Sequence, residues 1–367
     1  MVTSQMRWLG LMIIFLSFPS MGEDQSYAWS HFGAKSLAMG NASVAVPNGC
    51  QGIFHNPAIL AMTKHDQWGA RLGLLRSSNA TEFIQKIPSL SSSSDVSVEA
   101  SIDLLESHQG KHYKFLSYMN SCWQGRAGRA IGIVSSLGGI LSIDGSPSIL
   151  ADIGQDTIIP VGTSRSFLSN RVKIGATVKL RLIDKFSDEI TIELLTKLKD
   201  GEGIKADDFF VKGYGIGLDF GIIFSPLVSE APNLGFSITD IGGTRFYEFP
   251  EKKMVTRLPR SVGGSLNVGF SARPIIIADR RPILIAIDVH GVNKNYSFTK
   301  KLQLGMEWTL IPMIKLLSGF HQGYFSWGLE FSYRAMEINL ATYTEEMGSI
   351  SGQDPLSLTT FELGIEF

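Results

Sequence analysis

The sequence predicts an all-β fold: a transmembrane antiparallel β-barrel of about 14 strands closed around a broken N-terminal segment. Three observations carry this reading. From about residue 68 onward the chain is a succession of short stretches in which apolar residues alternate with polar residues or glycine, which is the period of a strand. After the N-terminal 22 residues no apolar run reaches the roughly 20 residues that a membrane helix needs, so any crossing of a bilayer falls to a closed barrel. Long and short connections alternate along the first half, as in barrels with short turns at one rim and long loops at the other.

In chain order, residues 1–22 read as a secretory signal peptide: the apolar run 8–18 follows Arg7, and Ser20 and Gly22 precede a cut ahead of Glu23. Residues 23–66 form a plug and 67–367 the barrel. Within 33–61, Gly33, Gly40, Gly49 and Gly52 interrupt every apolar run, and Pro47 and Pro57 each remove a backbone donor. No long regular element passes through such a segment, and it needs a container.

The strand at 171–182, RVKIGATVKLRL, puts Val172, Ile174, Ala176, Val178, Leu180 and Leu182 on one parity and Arg171, Lys173, Thr177, Lys179 and Arg181 on the other. A helix would scatter these charges around its circumference. A central Lys or Arg facing lipid costs roughly 2 to 4 kcal/mol, so the apolar parity faces outward and the charged parity inward. The same alternation recurs at 215–224, 265–270, 283–289, 301–310 and 325–333, and more weakly near 68–75, 111–119, 130–140, 155–164, 233–241, 313–321 and 336–344. The final strand, 358–367, aligns Phe361, Leu363, Ile365 and Phe367 on one face, and a terminal aromatic of this kind is expected to be read by outer-membrane assembly machinery. Connections 76–110, 141–154, 184–213 and 242–260 are expected to be long, and 120–129, 165–170 and 226–232 short. The long ones then lie outside the cell.

With 18% charged residues, 44% hydrophobic residues and a net charge of -1, the composition excludes a charged disordered tail and gives no electrostatic case for nucleic acid. Thirty-eight glycines suit tight turns and strand positions facing a crowded lumen. Cys50 and Cys122 are too few for a disulfide framework; they either pair, joining the plug to an early turn, or remain small apolar residues.

No motif supports an enzyme. Ser297 and Lys300 fit an S-x-x-K spacing without companion elements and read as the edge of a strand, and Gly213, Gly215 and Gly217 continue into an alternating strand and line the lumen. The histidines are dispersed, His108 and His112 alone lying close enough to share a helix face; no metal site, cofactor or carboxylate pair is expected.

The segment GAKSLAMG (33–40), Val44-Ala-Val and above all HNPAILA (55–61), followed by GTSR (162–165), the stretch 234–243 and the closing FELGIEF, resemble the outer-membrane FadL-type transporter superfamily, in particular its PorV-like branch. The resemblance implies that the plug is a hatch folded into the barrel lumen, with Asn56, Pro57 and Ala58 as its pivot, although Cys50 and His55 depart from the usual residues there. It also implies a hydrophobic, long-chain fatty-acid-like ligand moving passively through a barrel in the outer membrane of a Gram-negative-type bacterium, with membrane lipid as neighbour. The alternative is a PorV-like platform for exported proteins of a secretion system. The connection 184–213 carries a helical pattern, Ile190, Leu194, Leu195 and Leu198, that stops at Asp200-Gly201. Its apolar face, with Phe209 and Phe210 nearby, either packs on the barrel rim or forms a ligand-capture site.

Overall fold

The computed structural model of the protein describes residues 33–63, 65–80, 106–143, 148–191, 209–226, 232–249, 257–274 and 282–367. The expected signal peptide, and Leu194, Leu195 and Leu198 of the expected loop helix, lie outside these residues.

The strands are β1 (Gln67–Ser77), β2 (His112–Gly125), β3 (Arg129–Ile143), β4 (Ser148–Phe167), β5 (Val172–Thr191), β6 (Phe210–Phe224), β7 (Asn233–Thr239) and the two-residue β8 (Phe246–Tyr247). They continue with β9 (Ser265–Ala272), β10 (Ile283–Val289), β11 (Leu302–Ile311), β12 (Ile314–His321), β13 (Tyr324–Tyr333), β14 (Met336–Glu346) and β15 (Pro355–Glu366). Neighbours in sequence pair antiparallel, except that β7 pairs with β9 while β8 lies along β6 at Tyr214 and Gly215. β1 pairs with β15 from Gly69–Glu366 to Ser77–Leu358, so the sheet closes and fourteen strands form the barrel wall. The seam is extended by Trp68 and Phe367, which exchange backbone bonds of 3.0 and 2.8 Å and stack their rings at 5.8 Å.

The alternation read from the sequence sorts the side chains as expected. Leu72, Leu74, Val161, Val178, Ile216, Phe325 and Leu363 are exposed on the outside, Leu74 by 63%, and form the apolar belt that lipid covers. Charges face inward in pairs: Arg181 with Asp156 at 2.5 Å, Lys185 with Asp152 at 2.8 Å, Lys114 with Glu345 at 2.6 Å, and Lys179 with both Asp219 (2.9 Å) and Asp240 (3.0 Å).

Three of the expected connections are corrected. The segment 141–154 is mostly strand, its connection reduced to 144–147, and 184–213 is strand as far as Thr191 and again from Phe210. Both ladders run past the apolar belt, where outward positions such as Asp184 and Asp188 are polar, so the apolar signal stops before the hydrogen bonding does. β2 likewise runs on to Gly125 through 120–125, leaving a turn at 126–128. Ile190 thus belongs to a strand rather than to a loop helix. Ser297 and Lys300 are not a strand edge: Ser297 accepts the Lys300 backbone N–H at 3.4 Å and caps the single-turn helix Phe298–Lys301.

The β3–β4 pairing lapses between Ile131–Val161 and Val134–Ile158, opposite Pro160, which has no N–H to give to the ladder.

Candidate functional site

The lumen is crossed by residues 33–62, built from α1 (Ala34–Ala38), a 3-10 turn at Gly49–Gln51, α2 (Gly52–His55) and a 3-10 helix at Pro57–Met62. Short helical turns are what glycine and proline spacing permits here. Leu37, Met39, Val44, Ile53, Ile59 and Leu60 are buried, and one cluster joins Ala38, Met39, Ala42 and Val46 to Leu284, Ala286, Leu317 and Ala341 of the wall.

The wall makes room for this backbone with glycine. A Cβ at Gly175, Gly221, Gly235, Gly305 or Gly319, one on each of β5, β6, β7, β11 and β12, would meet hatch atoms within 2.6 Å. The tightest is Gly221, where it would lie 1.9 Å from Asn56 Oδ1. Gly40 has φ +63°, and a Cβ there would reach the Leu304 carbonyl at 2.3 Å, so this turn is closed to other residues on two counts.

Asn56, wholly buried, spans the hatch and the wall. Its Oδ1 accepts from Ala58 N at 3.1 Å and so caps the helix that Pro57 begins, while its Nδ2 donates to the carbonyls of Val44 (2.8 Å), Ile222 (3.4 Å) and Phe236 (3.4 Å). Asn56 thus bonds both to the first half of the segment, at Val44, and to the start of the second, at Ala58. Across from it, the buried Asp288 accepts the amides of Ser43 (2.6 Å) and Val44 (2.8 Å) with one oxygen, which His290 Nε2 also approaches at 3.2 Å. Ser271 and Ser326 donate to the carbonyls of Ala45 (2.7 Å) and Ala38 (3.0 Å). The irregular backbone is in this way satisfied by side chains of the wall. Ser43 Oγ lies 3.0 Å from His55 Nδ1.

Lys35 ties α1 to the wall through Glu307 Oε2 at 2.8 Å and Glu330 Oε2 at 2.9 Å. Arg273 supports Glu307 at 3.3 Å, and Lys315 bonds Glu330. Burial opposes the Lys35 charge, but the two carboxylates outweigh it and raise its pKa above the ordinary lysine range. Below α1, Glu362 receives Tyr118 Oη at 2.7 Å and Asn339 Nδ2 at 3.1 Å beside Arg71. Cys50 and Cys122 are bonded, with Cα atoms 6.1 Å apart, fastening the second half of the hatch to β2.

The residues considered for ligand capture stand elsewhere. Phe209 and Phe210 pack on Phe186 at 5.9 and 6.0 Å, and Lys212 lies over the Phe210 ring at 5.0 Å. Phe210 is eleven positions from Gly221 on β6, or about 35 Å along the strand, so this aromatic group and the Asn56 contacts are not one site. Phe361, Leu363 and Ile365 are exposed on the outer belt. His108 and His112 share no helix: His112 bonds Ser142 and Asp354, both at 2.6 Å. Among the described residues no group of three metal-ligating side chains assembles.

Sequence reasoning missed Lys35, Asp288, Glu307 and Glu330 as hatch contacts. Two signals were present: Lys35 is the one charge in 33–61, and Asp288 is the one acid on the inner parity of β10, after Leu284 and Ala286.

No protein-family model and no curated protein matches the chain by sequence. Solved structures do match it by fold. A mutant of the monoaromatic hydrocarbon channel TodX superposes with a TM-score of 0.55 at 13% identity, over 91% of this chain and 97% of that one. The Ralstonia pickettii toluene transporter TbuX gives 0.54 at 12% identity, and a Pseudomonas aeruginosa FadL homologue 0.51 at 10%, each over 91% of this chain and 97% of the other. These likenesses carry nothing particular to the PorV-like branch. At such identities they establish architecture: the chain has the barrel fold of the FadL-type and hydrocarbon-channel proteins.

Proposed function

We propose that the protein is an outer-membrane barrel through which hydrophobic small molecules pass without an energy source, and that residues 33–62 close it at rest. The observation that carries this reading is the hatch itself: a lumen surrounded by a lipid-facing belt and filled across its width by one polar-latched segment. Beside α1, Leu37 packs against the buried wall residues Leu116, Tyr118, Ile140, Tyr343, Leu356 and Leu358, apolar contacts that an aliphatic or aromatic ligand would take over if α1 shifted. The fold relatives, named as hydrocarbon channels, a toluene transporter and a FadL homologue, support the same class of cargo. A long-chain fatty acid is the ligand we infer within that class. The lapse in pairing opposite Pro160 is a place in the wall where a molecule leaving sideways meets fewer hydrogen bonds.

Mass spectrometry of organic-soluble molecules retained by the purified barrel tests this. A hydrophobic small molecule in near-stoichiometric amount is expected. A ligand-free barrel that instead retains a stoichiometric exported protein would replace transport with a platform role.

A further inference from the structure

The outer wall carries a feature that passage through the lumen does not use. Between β2 and β5, on the lipid-facing side, lies a groove of about 590 Å³. Trp123, Ile131, Val161 and Val178 form its sides, and the small outward residue Ala176 leaves its floor low. Arg129 stands at the mouth, where β3 leaves the turn 126–128.

Arg129 is not alone. Its register partner is Thr163, and Arg165 follows two positions on with the same outward parity. Arg126 and Arg171 occupy the turns on either side, and all four arginines are exposed. Arg126 has only Asp66 at 3.8 Å, and Arg129, Arg165 and Arg171 have no acidic partner among the described residues. This rim also carries Trp68, Phe167 and Phe367, exposed aromatics of the kind that mark the boundary between hydrocarbon and headgroups. The groove therefore runs from a cationic headgroup zone into the apolar belt. Its chemistry is that of one amphiphile: an acyl chain against the apolar sides, and a phosphate between guanidinium groups that present paired donors to it.

We propose that the groove is a binding site for an anionic glycerophospholipid of the surrounding membrane, with Arg129 and Arg165 taking the phosphate and Trp123 flanking the acyl chain. This rests on the membrane placement of the barrel and is independent of what the lumen passes.

Trp123 is the probe. The full-length protein is placed in phosphatidylcholine vesicles holding a minor fraction of phosphatidylglycerol, with bromine on the acyl chains of one lipid or the other. The quenching of Trp123 is taken as the difference between the wild type and Trp123→Phe. Brominated phosphatidylglycerol is expected to quench Trp123 well beyond its mole fraction, by about fivefold for each arginine engaged. Arg129→Gln with Arg165→Gln should return that quenching to the mole fraction, while quenching of the other outward tryptophans by brominated phosphatidylcholine stays unchanged and reports an intact barrel. Quenching in the wild type that follows mole fraction alone, or an excess that survives in the double variant, overturns the proposal. Failure of both lipids to quench any tryptophan overturns it by removing the membrane placement, a result distinct from either.

Discussion

Lys35 places an ammonium between two carboxylates of the barrel wall, each about 3 % exposed at the side chain. Breaking a buried ion pair from one side leaves the other side without its partner, which typically costs more than the pair itself contributes. Here Arg273 and Lys315 remain, and Lys35 keeps 24% of its side chain exposed, so Lys35→Met is expected to weaken hatch docking by about 2 kcal/mol rather than the full penalty. The measurement is the urea concentration at which protease first cuts within 33–63 while the barrel stays folded, and it should fall. Unchanged protection would show that the latch contributes nothing. The pH dependence has a definite sign. A lysine whose pKa is raised on folding gives its full stabilisation below the ordinary value of 10.5 and loses it only as pH rises through the higher folded value. Hatch protection in the wild type should therefore show no loss from lysine titration between about pH 7 and pH 10.

Among the elements, the strands were legible in the sequence and the way the hatch is held was not. Val172 to Leu182 show why: outward apolar and inward charged positions alternate there, and β5 follows them. The same strand runs on to Thr191 through polar outward residues, invisible to a pattern that senses only lipid contact. The glycines were legible as lumen-facing, but what they face was not, because Gly221 and Asn56 are brought together only by the fold. The same holds for Cys50 and Cys122, 72 positions apart, whose pairing the sequence left open. The contact at Gly221 has a direct consequence. Gly221→Val would drive a side chain into Asn56 and Pro57, and the Asn56 side chain can yield only by giving up its bonds to Ala58 and Val44. We expect the variant to assemble as a barrel that migrates differently on gels when unboiled, with its hatch undocked and open to protease. A hatch as protected as in the wild type would show that the close packing around Asn56 is dispensable.

At the scale of the whole molecule, the barrel wall and the hatch are separate solutions to one problem. The wall joins its first strand to its last, with Trp68 and Phe367 extending the seam, and it turns its apolar parity outward. That leaves a wide interior lined by ion pairs, and the hatch fills it with apolar side chains whose irregular backbone is satisfied by Asp288, Asn56, Ser271 and Ser326. One half of the hatch is covalently fastened at Cys50; the other, around α1, is held by polar contacts and packing. Under the proposed function, such a plug would exclude water-soluble solutes while its noncovalent half shifts for a hydrophobic one. Paired flux across vesicles carrying the purified protein tests this most directly, using a labelled long-chain fatty acid and a sugar of similar size, with the wild type set beside a variant lacking 33–62. The wild type should pass the fatty acid and hold back the sugar, and the variant should pass both. A wild type that passes the sugar, or that passes neither solute, would contradict the account.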